Sequence, residues 1–224
     1  MTTSKGIKTI VALTAVAMGG LVCNIAAHEK PMKVYILAGQ SNMQGTADIA
    51  TFDYIGHDPA TAPMLKEMRS ADGKPHVCEK VWISHYTKDE DLAAASGKLT
   101  AGYGGAYVPG TLGTQIRREF TFGIYMQKML DGPILITKTA WGGKDLYCDF
   151  YPPSAGTPAY TIKPKGGTDR KVGLYYRLMM AHVKKVLADP KRVCPAYDQK
   201  QGVEVAGFVW FQGWNDYCYT NWAR

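Results

Sequence analysis

An apolar run that stops at a polar, glycine-bearing loop occurs three times in this chain, unbroken in the first two and interrupted only by Glu204 in the third, and few folds accept that pattern. Val34-Tyr35-Ile36-Leu37 leads into AGQSNMQG at 38–45, Ile134-Leu135-Ile136 into TKTAWGG at 137–143, and the 203–211 stretch into QGWND at 212–216. Unbroken apolar runs, unlike alternating ones, mark strands covered on both faces. The segments between them change period. Residues 112–130 space Ile116, Phe120, Ile124 and Met129 along one helical face and stop at Asp131-Gly132-Pro133. Residues 171–188 read as a second helix, with Leu174, Leu178, His182 and Leu187 as candidates for its inward face. Strand, helix, strand, helix, strand predicts an α/β fold with a central parallel sheet covered by helices on both faces.

In such a sheet the carboxyl ends of the strands share one edge, and the loops leaving them line the crevice where ligands bind. Ser41 stands just past the first of these ends and is the nucleophile candidate. Acyl transfer needs a hydroxyl and fixed donors aimed at the oxyanion that develops on the attacked carbonyl. Candidate donors are the N–H of Ser41 itself, the N–H of Gly142 or Gly143, and the side-chain amide of Gln212 or Asn215. Gln40, Asn42 and Trp214 are candidate substrate contacts; the two amides could equally brace loops, and Trp214 could pack or stack on a sugar. Lys138 and Asp145 frame the glycine pair, either as substrate contacts or as an ion pair that steadies the loop. This chemistry calls for no metal and no cofactor. No close-spaced Cys or His set, Walker-type loop or dinucleotide fingerprint occurs.

Residues 1–27 place Lys5 and Lys8 ahead of an apolar run from Ile10 to Val22, followed by Ala26 and Ala27. That is the layout of a secretory signal peptide, which predicts a periplasmic or secreted protein without stable membrane insertion after cleavage. Removing Lys5 and Lys8 takes the formal net charge from +7 to +5. The remaining basic residues are spread out rather than blocked, which argues against a nucleic-acid partner. Cys78, Cys148, Cys194 and Cys218 remain, and export would permit three alternative pairings among them. Residues 46–113, punctuated by Pro59, Pro63 and Pro75, read as an insertion whose most regular piece is a strand at 77–84. A Pro- and Gly-rich loop fills 151–167.

VYILAGQSNMQG, KTAWGGKDL and FVWFQGWND, with LTAGYGG at 99–105 and EFTFG at 119–123, together resemble the sialate O-acetylesterase-type domain of the SGNH hydrolase superfamily. The resemblance runs from about Val34 to about Asp216 and places the domain at 28–224. It implies a flavodoxin-like three-layer α/β/α sandwich and a serine esterase that removes O-acetyl groups from carbohydrate, with Ser41 as nucleophile and Gly142 or Gly143 in the oxyanion hole. Trp214 stands where the family more often has a glutamate, which leaves Gln212 as the favoured amide donor and Asn215, in a Gly-x-Asn-Asp reading, as the second. The family's general base is a histidine in an Asp-x-x-His segment near the carboxyl end, and none of His28, His57, His76, His85 or His182 has that context. Three expectations follow: a continuation beyond Arg224 that carries the histidine, a surrogate such as His57 or His85, or a non-catalytic carbohydrate-binding relative.

Overall fold

The computed structural model describes residues 30–87, 94–105, 113–156 and 171–218. The 1–27 segment read as a signal peptide, most of the 151–167 loop and the last six residues lie outside them. In chain order the elements are β1 (Met32–Gly39), α1 (Ser41–Gln44), β2 (Ala47–Asp48), α2 (Thr51–Ile55), α3 (Ala62–Met68), β3 (Val81–Tyr86) and β4 (Ala95–Lys98). They are followed by β5 (Gln115–Ile116), α4 (Arg118–Met129), β6 (Ile134–Ala140), α5 (Leu174–Ala188), β7 (Val203–Phe211) and α6 (Trp214–Cys218).

The main sheet has the order β4-β3-β6-β1-β7, and only β4 runs antiparallel to its neighbour. The fold is therefore α/β with a mostly parallel sheet, as the three apolar runs require. Counted along the chain, the parallel strands lie 2-3-1-4. Leaving out β3, they lie 2-1-3, the beginning of the flavodoxin-like order. The strand that disturbs the count, β3, comes from the 46–113 segment read as an insertion, so that segment extends the sheet as well as covering it. It starts at Val81 rather than at residue 77.

Helices close both faces over β1, β3 and β6, whereas the edge strand β7, expected to be covered on both faces, is largely exposed, with Val205 51% and Phe208 53% exposed. Phe120 and Ile124 of α4, Phe52 of α2 and Met68 of α3 pack with Leu37, Ile83, Ile134 and Ile136 in one core cluster. Val186 of α5 packs with Met32, Val34 and Leu135 on the other face, and Tyr175 and Met179 pack with Ala38, Tyr86 and Trp141. Each fully buried aliphatic side chain in these layers stabilises the fold by about 2 kcal/mol.

Two helical faces differ from expectation. Ile116 pairs in β5 with Ala47 instead of opening a helix, and Met129, at the last turn of α4, is 77% exposed. On α5 the buried residues are Tyr175, Met179, His182, Val183 and Val186, one position on from Leu174 and Leu178. The reason is aromatic: Tyr175 meets Trp141 at 5.1 Å between ring centroids and Phe150 at 6.2 Å, and that packing sets the helix's rotation. Cys78, Cys148 and Cys194 are buried free thiols, and Cys218 is an exposed one, so no disulfide staples the described residues.

Two histidines are sealed between the layers. His85 on β3 and His182 on α5 are each 1% exposed. His182 stacks on Tyr86, and its Nε2 lies 3.3 Å from the Ser84 carbonyl oxygen. Burial pushes the His182 pKa down from 6.5 to about 4, against the opposing pull of the Ser84 carbonyl. Burial, then the charges of Lys138 and His182, hold His85 well below its ordinary value. Both rings are thus neutral in the folded chain near pH 7, whereas the unfolded chain protonates them near 6.5. Below that pH the unfolded state binds more protons, so stability is complete above 6.5 and falls as pH drops toward 4. For His182 alone this is on the order of 3 kcal/mol. Urea midpoints measured between pH 7 and pH 5 should fall with pH in the wild type and change little in the His85→Gln/His182→Gln variant. Equal slopes in the two proteins would contradict the burial of neutral histidines.

Candidate active site

Parallel pairing brings the three loops together. Gly39, the last residue of β1, stands opposite Ala140 of β6 on one side and Phe211 of β7 on the other. The Gln40 N–H donates to the Phe211 carbonyl at 3.0 Å, and the Trp141 N–H donates to the Gly39 carbonyl at 3.1 Å. No side chain fits at residue 39, because a Cβ there would lie 2.1 Å from the Phe211 carbonyl oxygen. The three polar loops therefore leave the sheet side by side.

Ser41 is the first residue of the one-turn helix α1 and is half-buried. Its N–H has no intrahelical acceptor at that position. Its hydroxyl has no hydrogen-bond partner among the described residues. A methyl group on Gly142 would lie 3.8 Å from Ser41 Cβ, and one on Gly143 would lie 3.8 Å from Asn215 Nδ2, so the serine, the glycine pair and Asn215 form one cluster. Gly143 sits at φ +72°, a left-handed conformation that favours glycine.

The two glycines are not equivalent. The Gly142 N–H is already used, donating to Gln44 Oε1 at 2.8 Å. The Gly143 N–H has no acceptor among the described residues. The two amides differ in the same way. Gln212 Nε2 donates to Gln40 Oε1 at 3.2 Å and to the Lys144 carbonyl at 2.7 Å, which spends both of its hydrogens on holding the glycine loop. Asn215 uses its backbone N–H on Gln40 Oε1 at 3.2 Å and leaves its side-chain amide open toward Gly143. Of the two amides, Gln212, the favoured candidate, is bonded within the loops, and Asn215, the second, keeps its side-chain amide open.

Gln40 is fully buried, and its Oε1 collects donors from both Gln212 and Asn215, so it braces the first loop to the third. Asn42 is exposed beside Ser41. Its carbonyl oxygen accepts from Arg118 Nη1 at 2.9 Å and Arg117 Nε at 3.3 Å, and its Oδ1 from Arg117 Nη2 at 3.4 Å. Trp214 is 59% exposed and lies at 6.0 Å from the ring of Tyr217, itself 72% exposed. Asp216 accepts from the Leu146 and Tyr147 N–H groups and ties α6 to the loop after the glycine pair.

Lys138 and Asp145 do not pair. Asp145 caps its own turn by accepting from the Cys148 N–H at 2.7 Å, while Lys138 meets Glu119 at 2.7 Å. Gln44 and Glu119 are the contributors that sequence reading did not assign. Gln44 lies three residues after Ser41 and hence on the same helical turn, and Glu119 opens the EFTFG stretch. Of the four histidines within the described residues, two are sealed off and two lie nearer the surface. His57 meets the ring of Tyr54, His76 meets Gln127, and His85 and His182 lie in the interior.

Against protein-family models, residues 31–224 match the family described as carbohydrate esterase, sialic acid-specific acetylesterase. A search of curated proteins returns no match.

The brace at Gln40 is measurable. Gln40→Leu keeps the volume and strands two donors, the Gln212 amide and the Asn215 N–H, so urea unfolding should lose about 2 kcal/mol. Asn42→Ala keeps the backbone carbonyl that the arginines hold and should cost no more than about 0.5 kcal/mol. A Gln40 variant as stable as the Asn42 variant would contradict the bracing role.

Proposed function

Since the chain belongs to the sialic acid-specific acetylesterase family of carbohydrate esterases, we propose that it hydrolyses O-acetyl esters of carbohydrate through an acyl-serine intermediate. The observation that carries this reading is the meeting of the half-buried Ser41 with two unspent donors, the Gly143 N–H and the Asn215 amide, on one sheet edge. Ser41 Oγ attacks the acetyl carbonyl carbon. The carbonyl oxygen becomes an oxyanion held by the N–H groups of Ser41 and Gly143 and by Asn215 Nδ2. The intermediate collapses as the sugar oxygen leaves with a proton, and water then attacks the acyl-serine to release acetate and restore the hydroxyl. Removing a single oxyanion donor from such a site costs about 10²–10³ in rate.

The serine's proton needs a base; His85 and His182 are sealed in the interior, and neither His57 nor His76 is hydrogen-bonded to Ser41. We assign that role to a histidine outside the described residues. Trp214, exposed on the rim with Tyr217, fits the apolar face of a sugar ring next to the ester. Secretion or periplasmic residence remains part of this proposal and is carried by the 1–27 pattern alone.

The unpartnered Ser41 hydroxyl favours a second reading, a non-catalytic relative that binds the glycan on the Trp214 rim. The two are separated by acetate release from an acetylated glycan and from an aryl acetate, assayed with the natural full-length protein. Turnover that falls by at least about 10³-fold in Ser41→Ala, with melting unchanged, is the expected result. Glycan binding without turnover in the wild type would establish the second reading, and Ser41→Ala activity equal to wild type would remove Ser41 from the chemistry.

A further inference from the structure

Lys138 and Glu119 form an ion pair closed to solvent, with side-chain exposures of 0% and 1% and an Nζ–Oε2 distance of 2.7 Å. A buried pair of this kind contributes little to stability that well-packed apolar residues would not supply. Burial lowers the Lys138 pKa, and Glu119 opposes that shift. What a lysine offers here, and an apolar residue does not, is three donors aimed at three separate segments. All three are spent. They go to Glu119 in the first turn of α4, to the carbonyl oxygen of Gln44 at 2.9 Å, and to that of Tyr103 at 2.8 Å.

Gln44 closes the last turn of α1, three residues after Ser41, and its side chain takes the Gly142 N–H at 2.8 Å. Its carbonyl oxygen also accepts from the Gly105 N–H at 3.3 Å. Bonds therefore run without a break from Glu119 through Lys138 and Gln44 to Gly142, and so from the core under the sheet edge to the loop that carries Gly143. We propose that Glu119, Lys138 and Gln44 are positioning residues for the esterase site, fixing the Ser41 turn against the Gly142-Gly143 loop so that the Gly143 N–H faces the developing oxyanion. The inference rests on the reading of Ser41 as nucleophile. Catalytic geometry tolerates errors of only about 0.5 Å, and a displacement of about 1 Å costs on the order of 10²-fold in rate. Gln44 ties the two loops directly, and the buried cation fixes Gln44.

The test uses the full-length protein in three forms: Lys138→Met/Glu119→Leu, Gln44→Leu, and all three changes together. The first removes both charges at once, so no buried ion is stranded, and the Gln44 carbonyl keeps the Gly105 N–H. Three readouts are taken: aryl acetate kinetics, the melting temperature, and NMR exchange of the Gly142 amide hydrogen. The first two variants should each remain folded at 25 °C and lose roughly 10²-fold in kcat with KM within about threefold of wild type. The triple variant should be no worse than either, because the residues act as one chain. Exchange at Gly142 should quicken in all three. A kcat within about threefold of wild type in a folded variant, or losses that multiply in the triple variant, would overturn the inference. If the wild type shows no turnover, the esterase reading fails by itself. Gly142 exchange then decides the chain of contacts: faster exchange in all three variants supports it, and unchanged exchange in any of them overturns it.

Discussion

The pairing of β1 in parallel with a neighbour on each side is the constraint on which the site depends. Gly39 faces Ala140 and Phe211 in the same register position, so three loops distant in sequence leave the sheet at one level. The close approach at Gly39, where no Cβ fits beside the Phe211 carbonyl, is the local cost of that arrangement. Parallel strands cannot be joined by tight turns, so the helical segments between them are a requirement of the topology. Those helices then supply both covering layers and, at the start of α4, the arginines that reach the nucleophile turn and the glutamate that holds Lys138.

Above the strand ends, the loops are fixed mainly by one another. Gln40 of the first loop takes donors from Gln212 and Asn215 of the third; Gln212 holds the Lys144 carbonyl of the second; Gln44 of the first holds Gly142 of the second. Side-chain amides suit this work because each offers both donors and an acceptor without a charge to desolvate. The consequence is a division of labour. Amides and N–H groups that are spent on bracing, those of Gln212 and Gly142, are adjacent to others that are left unspent, those of Asn215 and Gly143. Only the unspent ones can answer a charge that develops on a bound ester.

Much of the fold was legible because its signals are local. The β7 bounds coincide with the 203–211 run, and β6 and α5 begin within a few residues of their expected positions, each marked by a change of hydrophobic period or a Gly-Pro stop. The rotation of α5 was not legible, since it is set by Tyr175 meeting Trp141 and Phe150 from distant loops. The family motifs pointed to Ser41, the glycine pair and the QGWND block as one cluster, and the sheet does bring these segments together. Which glycine and which amide stay free was hidden, because that depends on who else reaches them: Gln44 for Gly142, and Gln40 with Lys144 for Gln212. Lys138 looked like a frame for the glycine pair beside Asp145, and its true partner, Glu119, stands on a different element. Long-range pairing of two buried charges leaves no trace in spacing.

The most direct measurement is the intact mass of the full-length protein during turnover of an aryl acetate, quenched in acid and followed by peptide mapping. A serine nucleophile requires a transient gain of one acetyl group, located on the peptide that contains Ser41. Acetate release with no acetyl group on that peptide, or with the group on another residue, would contradict the assignment of Ser41 and of the sheet edge as the centre of the chemistry.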